Sequence, residues 1–322
     1  MSVQTQTIYQ GEQLLAKLAQ PAAGVDRLVV TFDHFVQRKE DFEHGKELFF
    51  AKHGVAHLHV FTRTNHWFQT AESAELARVL GEVSAGFREV VSYGSSMGAY
   101  GALAFSGALR ANRVLAFSPQ YSVDPAKVPF DKRWKMDRDA ILDFPRDQLA
   151  GLLNPDAVIE VFYDPFHKLD TEHARLIQQS HAKVSLVRLP CAGHPVTHVL
   201  RSSNLLGRRC LNLLFDRSQV DLPSIWQQTK RDSLKRRVTL IRYLLGQNRD
   251  SRNRTAVRLI EQSESAGVLD PASQFVLGRD LLAHPEFRNT GLALMETAIA
   301  RKPNPPQKWR AQVARLKLPE GS

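Results

Sequence analysis

The stretch from Glu89 to Ser106, EVVSYGSSMGAYGALAFS, holds the residues best suited to covalent chemistry. Gly94, Ser96 and Gly98 satisfy G-x-S-x-G where a β-branched run ends and a small-residue helical pattern begins, the context in which that motif presents a nucleophile. A sharp turn strains the serine backbone, and glycines on either side let strand and helix approach closely. The hydroxyl is then lifted above the sheet edge, with the helix amino terminus aimed at a developing oxyanion. Ser96 is the candidate nucleophile, because Ser95 occupies the variable position. The bland alternative is a glycine-rich turn with no catalytic role. Serine needs a base of near-neutral pKa to take its proton, which points to a histidine downstream.

Such a site requires strands that end on one edge. LVVTF (28–32), AHLHVF (56–61), EVVSY (89–93), RVLAF (113–117), AVIEVFY (157–163) and KVSLVRL (183–189) read as strands. Helical periods fall between them near 44–52, 71–86, 97–109, 145–153 and 170–181. Alternating strands and helices predict an α/β domain of about six parallel strands with helices on both faces, and sites in such sheets form at the carboxyl ends of the strands.

With Gly94, Ser96 and Gly98 between strand and helix, residues 28–215 resemble the α/β-hydrolase superfamily, whose order is serine, acid, histidine. The resemblance implies His194, in LPCAGHPVTHVL, as general base; His198, four residues on, is its competitor. The acid is expected after the strand at 157–163, where Asp164 ends the strand and Asp170 opens the next helix. Asp164 is preferred, because Asp170 has a ready role as helix N-cap. His167 lies between the two as a candidate substrate contact. The oxyanion donors implied are the backbone N–H groups of Met97 and of Phe35, with His34 as the alternative; Asp33-His34 stands where the family usually has His-Gly.

Asn65, His66 and Trp67 follow the second strand and are candidate pocket groups. The segment 118–144 falls where the family often inserts a cap, and carries Trp134 beside Lys132, Arg133 and Lys135. Aromatic and basic groups together suit a carbohydrate or anionic ester. No phosphate loop and no H-E-x-x-H motif occurs, so no cofactor is expected. His53, His57 and His59 suggest a metal, but the sequence offers no adjacent acidic or cysteine ligand, and no metal site is expected. Cys191 and Cys210 fit no CxxC spacing and are expected as free thiols, with Cys191 a minor candidate nucleophile.

The 322-residue chain is 43% hydrophobic and 24% charged, enough for one large domain or two smaller ones. It has no apolar run long enough to span a membrane and no signal-peptide pattern at its start, so a cytoplasmic protein without a membrane span is expected. Between Arg217 and Arg258 eleven Lys or Arg stand against three Asp or Glu, which concentrates much of the net charge of +10. That surface suits an anionic polymer, though a solvated helix face is the preferred reading.

The expected organisation is a catalytic domain at 1–215 and a basic helical domain at 216–322. The latter has helices near 222–246, 251–266, 270–283, 288–302 and 305–317 and a weak likeness to a tetratricopeptide hairpin. The function implied is a serine hydrolase cleaving an ester through a Ser-His-Asp triad, or an acyltransferase using the same acyl-enzyme. The rival is a non-catalytic binding protein on the same scaffold.

Overall fold

In the computed structural model, residues 3–37, 42, 48–202, 209–216, 218 and 220–317 are described. The chain divides into two compact units, Met1–Ser224 and Ile225–Ser322. In the first, eight strands form one sheet: β1 (Val3–Gln10), β2 (Leu14–Pro21), β3 (Arg27–Phe32), β4 (Ala56–Thr62), β5 (Glu89–Ser95), β6 (Arg113–Phe117), β7 (Val158–Tyr163) and β8 (Val184–Arg188). Their order is β1-β2-β4-β3-β5-β6-β7-β8. The strands from β3 onward are mutually parallel, whereas β2 runs antiparallel to both β1 and β4. The first unit is thus a mostly parallel α/β sheet with helices packed on it.

The two amino-terminal strands were not expected. VQTQTIYQ has little apolar content and LLAKLA is rich in helix formers, so local preference argues against strand in both. Pairing with β4 decides the matter: Leu14, Leu15, Ala16, Leu18 and Ala19 become buried, and β1 caps the edge with exposed Gln and Thr.

The helices of this unit are α1 (Leu48–Lys52), α2 (Ser73–Ser84), α3 (Met97–Ala104), α4 (Lys135–Asp139), α5 (Leu149–Leu152), α6 (Lys168–Ser180), α7 (Thr197–Ser202) and α8 (Cys210–Phe215). The expected helix at 44–52 is seen as α1; residues 44–47 lie outside the described residues. Every residue of α3 is buried, which its Ala and Gly content allows, and it packs on β3, β5 and β6. Leu28, Val30, Phe32, Leu58, Leu103 and Phe105 belong to the core that holds it.

The boundary between the units falls within α9 (Leu222–Asp232). The second unit continues with α10 (Leu234–Leu245), α11 (Asp250–Ser265), α12 (Pro271–Leu281), α13 (Arg288–Arg301) and α14 (Gln307–Lys317). The single helix expected at 222–246 is broken at Ser233, whose Oγ accepts from Arg236 N at 3.2 Å and caps α10. Apolar faces of α10 to α13 meet in a core around Ile241, Ala256, Ile260, Leu277 and Leu281. Trp309 stacks on Phe275 at 4.1 Å beside it. Part of the basic excess is used inside this unit. Arg236 is buried, bonds Trp226 O and Thr229 Oγ1 and lies over the Trp226 ring, and Arg242 pairs with Asp280 at 2.6 Å. Among the described residues no helix is long and apolar enough to cross a membrane.

Candidate active site

β5 ends at Ser95 and α3 begins at Met97, so Ser96 alone makes the turn, with φ 54° and ψ −119°. A side chain in that region is strained, and it persists only where the surroundings hold it. Here the surroundings are two glycines. A Cβ on Gly94 would lie 2.1 Å from Gly98 O, and one on Gly98 would lie 2.4 Å from Phe32 O. Neither position tolerates a side chain without parting strand from helix. Ser96 N donates to Phe117 O at 2.9 Å, and the residue is 5% exposed. Ser95 Oγ instead shares a hydrogen bond with Thr197 Oγ1 at 2.9 Å, away from the histidine.

Ser96 Oγ lies 3.0 Å from His194 Nε2, and His194 Nδ1 lies 2.8 Å from Asp170 Oδ2. The carboxylate accepts from Nδ1–H, which leaves Nε2 unprotonated and able to accept from the serine hydroxyl. His198 is exposed, one turn along.

The acid contact is made by Asp170 and not by the preferred Asp164. Asp164 is buried at the end of β7 but spends its carboxylate on backbone: Oδ1 accepts from Phe166 N at 2.9 Å and Cys191 N at 3.0 Å, and Oδ2 from Gly193 N at 2.8 Å. It therefore ties the histidine loop to the strand. Cys191, with φ 65°, and Gly193, with φ 70°, form the turn it holds. The N-cap role expected of Asp170 is taken by His167, whose Nδ1 accepts from Asp170 N at 3.2 Å. Both carboxylate oxygens of Asp170 are released for other partners.

The second oxygen meets Arg133. Its Nη1 donates to Asp170 Oδ1 at 3.0 Å, while Nε and Nη2 bind Asp131, the latter at 2.7 Å from Oδ2. His173 Nε2–H donates to the same Asp131 Oδ2 at 2.9 Å, and its Nδ1 accepts from Tyr121 N at 3.0 Å. Burial alone would raise the Asp170 carboxyl, but the neighbouring His167 and His194, the latter through its Nδ1–H bond, outweigh it and hold the group well below the usual carboxylate range. Asp131 is likewise held down: burial opposes, and the bonds from His173 and Arg133 prevail. Burial pushes His173 below its ordinary value, with Asp131 acting against it. Arg133 thus joins two ionised carboxylates and stacks on Trp134 at 4.4 Å. Of the basic residues beside Trp134, Arg133 contacts Asp170 and Asp131, and Lys135 pairs with Asp139 at the surface.

Gln120 was not anticipated. It is fully buried two residues past β6's last bond to β7 at Ser118, and its Nε2 lies 3.4 Å from Ser96 Oγ and 3.3 Å from Ser118 O. Trp67 Nε1–H donates to Gln120 Oε1 at 2.9 Å, which fixes the amide with its N–H side toward the serine. A lone Gln in SPQYS carries no signal by type or spacing; only proximity reveals it.

A cavity of about 570 Å³ opens beside Ser96 and is lined by His34, Phe35, Trp134 and His194 among others. Met97 is the first residue of α3. Asn65 does not line this cavity; its Oδ1 accepts from Val36 N at 3.1 Å and its Nδ2 donates to Val36 O at 2.8 Å, so it clamps the loop that carries Phe35. His66 accepts from Phe68 N through Nδ1 at 3.0 Å and lies with Asn65 on a separate surface recess. Trp67 is fully buried behind Phe35 and Trp134, with ring centroids 6.0 and 5.3 Å away. Trp134 alone of the expected binding residues lines the cavity, its ring 5.7 Å from that of His194.

His57 and His59 do share a face, and a carboxylate is near them after all. Thr31 Oγ1 lies 2.7 Å from His57 Nε2 and 2.5 Å from His59 Nδ1, while His59 Nε2 reaches Asp33 Oδ1 at 3.1 Å. Asp33 Oδ2 accepts from Thr62 N at 2.9 Å. Among the described residues no group of three or more His, Cys, Asp or Glu is placed to hold a metal. Both cysteines are free thiols, and burial pushes that of Cys210, on the cavity wall, up to about 12.

No family model and no curated protein sequence matches the chain. Solved structures resemble it at low identity. The capsule O-acetyltransferase of Neisseria meningitidis serogroup A is 13% identical over 59% of this chain and 89% of its own, with a TM-score of 0.43. The Glycosylation Associate Protein (Gap123) complex from Streptococcus agalactiae is 15% identical over 66% of this chain and 47% of the other, with a TM-score of 0.49. The Pyrococcus furiosus esterase Pf2001 is 11% identical over 66% of this chain and 93% of its own, with a TM-score of 0.42.

Proposed function

We propose that the chain is a serine-dependent ester hydrolase or acyltransferase in which Ser96 is the nucleophile, His194 the general base and Asp170 the orienting acid. The observation that carries this reading is the continuous hydrogen-bond chain from Ser96 Oγ through His194 to Asp170, starting at a serine strained on a strand-to-helix turn. An arrangement built only for stability has no need of a strained serine facing a cavity.

In the reaction, Ser96 Oγ bonds to the ester carbonyl carbon as its proton passes to His194 Nε2. The imidazolium that forms is stabilised by Asp170, whose low pKa keeps it ionised. The tetrahedral oxyanion is assigned to the backbone N–H groups of Met97 and Phe35, with His34 N–H as the alternative donor. Collapse breaks the bond to the alcohol, which leaves with the proton from His194. Water, or an acceptor alcohol, then gives its proton to His194 and attacks the acyl-enzyme; collapse breaks the acyl–Oγ bond as His194 returns that proton to Ser96 Oγ. Gln120 donates to a lone pair of Ser96 Oγ and so leaves the hydroxyl proton pointing at His194.

A fluorophosphonate probe tests this directly. Native protein is expected to be labelled and Ser96→Ala protein is not. Folded native protein that resists the probe would establish the non-catalytic binding scaffold instead.

A further inference from the structure

The cavity beside Ser96 carries a charge pattern that the hydrogen-bonded relay does not require. Besides His194, its described lining includes His34, His57, His59, His198 and Arg201, and no Asp or Glu among the described residues. Two described carboxylates stand behind lining histidines: Asp170 behind His194, and Asp33 behind His59. Among the described residues the wall therefore carries no anionic group, while cationic and N–H-bearing groups line it.

Arg201 sits on α7, one turn from His198 and Thr197, so three cavity-lining residues share one short helix directly after His194. It makes no ion pair with another described residue. Its charge reaches Tyr93, which also lines the cavity: burial raises the Tyr93 phenol, and Arg201 acts against that rise. Phe35, Phe49, Phe50, Phe117 and Trp134 supply the remaining surface. Such walls lower the local dielectric and strengthen any charge interaction inside. A guanidinium that lines a cavity and pairs with no described carboxylate can bind a carboxylate or phosphate in a two-pronged contact that an ammonium or neutral group cannot replace.

We infer that the substrate is an anionic ester, with a carboxylate or phosphate held by Arg201 in this cavity while its ester carbonyl faces Ser96. This deepens the reading of Ser96 as nucleophile and rests on it for the placement of the carbonyl. The anion subsite itself is testable by binding alone.

The test uses full-length Ser96→Ala protein, so that esters are held without turnover, and isothermal titration. Mono-4-nitrophenyl glutarate carries the charge on the acyl side, 4-acetoxyphenyl phosphate carries it on the alcohol side, and 4-nitrophenyl pentanoate is the neutral control. At least one anionic ester is expected to bind about 10-fold or more tightly than the control, from one charge-assisted contact. Whichever arm shows the preference tells which side of the ester bears the charge. Adding Arg201→Gln is expected to bring the ratio to within about twofold, and Arg201→Lys to retain part of it. Should Arg201→Gln fail to fold, Arg201→Lys and the loss of preference in about 0.5 M salt still decide the matter. Equal affinities, no binding of any ester, or a preference that survives Arg201→Gln would each overturn the subsite. Fluorophosphonate labelling of wild-type protein reports on Ser96 separately, so failure of the subsite and failure of the hydrolase reading are distinguishable.

Discussion

Two buried aspartates lie within reach of the same loop, and substituting each by asparagine separates orientation of the base from support of its loop. Asp170→Asn replaces the acceptor of His194 Nδ1–H with a group that also presents a donor. The imidazole can then turn its unprotonated nitrogen toward the new amide and its N–H toward Ser96, the wrong tautomer for a base. The expected loss in kcat is about 10⁴-fold, equivalent to roughly 5.5 kcal/mol of barrier at about 1.36 kcal/mol per tenfold. Asp164→Asn leaves the relay intact. Its remaining oxygen still accepts from one side, but the amide nitrogen then faces either Gly193 N or the Phe166 and Cys191 pair, donor against donor. The cost is about 1–3 kcal/mol of stability, or roughly 2–12 °C in Tm for a unit of this size. Loosening of the His194 loop lowers turnover by about 100-fold at most. Ester hydrolysis and the fluorophosphonate labelling rate, both normalised to folded protein by thermal melt, measure the two effects. A 10⁴-fold loss in Asp164→Asn with an unmoved melt, beside Asp170→Asn within tenfold of wild type, would refute the assignment.

Gln120→Met is expected to slow fluorophosphonate labelling about tenfold, the worth of one hydrogen bond of about 1–1.5 kcal/mol. Trp67→Phe keeps the amide but removes the donor that orients it, and should slow labelling less; folded Gln120→Met that reacts at the wild-type rate removes Gln120 from the mechanism. The Asp131 carboxyl is depressed in the folded state, so its contribution to stability is full above the unfolded value of about 3.9 and is lost as pH falls through the folded one. Urea titrations should therefore show wild type more stable than Asp131→Asn at pH 6, with the gap narrowing below about pH 4. A gap that stays constant down to pH 2 contradicts the paired carboxylate.

Alternating β-branched and amphipathic runs located all six parallel strands, because a strand buried on both faces needs apolar residues at nearly every position. The two antiparallel strands were hidden for the opposite reason: Gln and Thr on an exposed edge, and Leu and Ala in β2, take their conformation from the partner strand rather than from local preference. Ser96 was legible because the turn leaves no room for a Cβ at Gly94 or Gly98, a restriction that appears directly as residue type.

The carboxylate that meets His194 was only half legible. Asp164 and Asp170 were both visible as candidates, since each lies near the end of β7 on the right edge. What distinguished them was the disposition of lone pairs, and this depends on partners far along the chain: Cys191 and Gly193 for one, Arg133 and His194 for the other. His167 took over the N-cap that had argued against Asp170. Gln120 had no signal at all, because a buried amide is defined by the groups brought to it. The sequence by itself therefore determined the sheet's parallel core, the strained serine and a short set of partners, all set by local sterics and periodicity. Only the tertiary structure decided which carboxylate meets the histidine and which amide meets the serine, because hydrogen bonds of about 3 Å between distant segments are settled by packing.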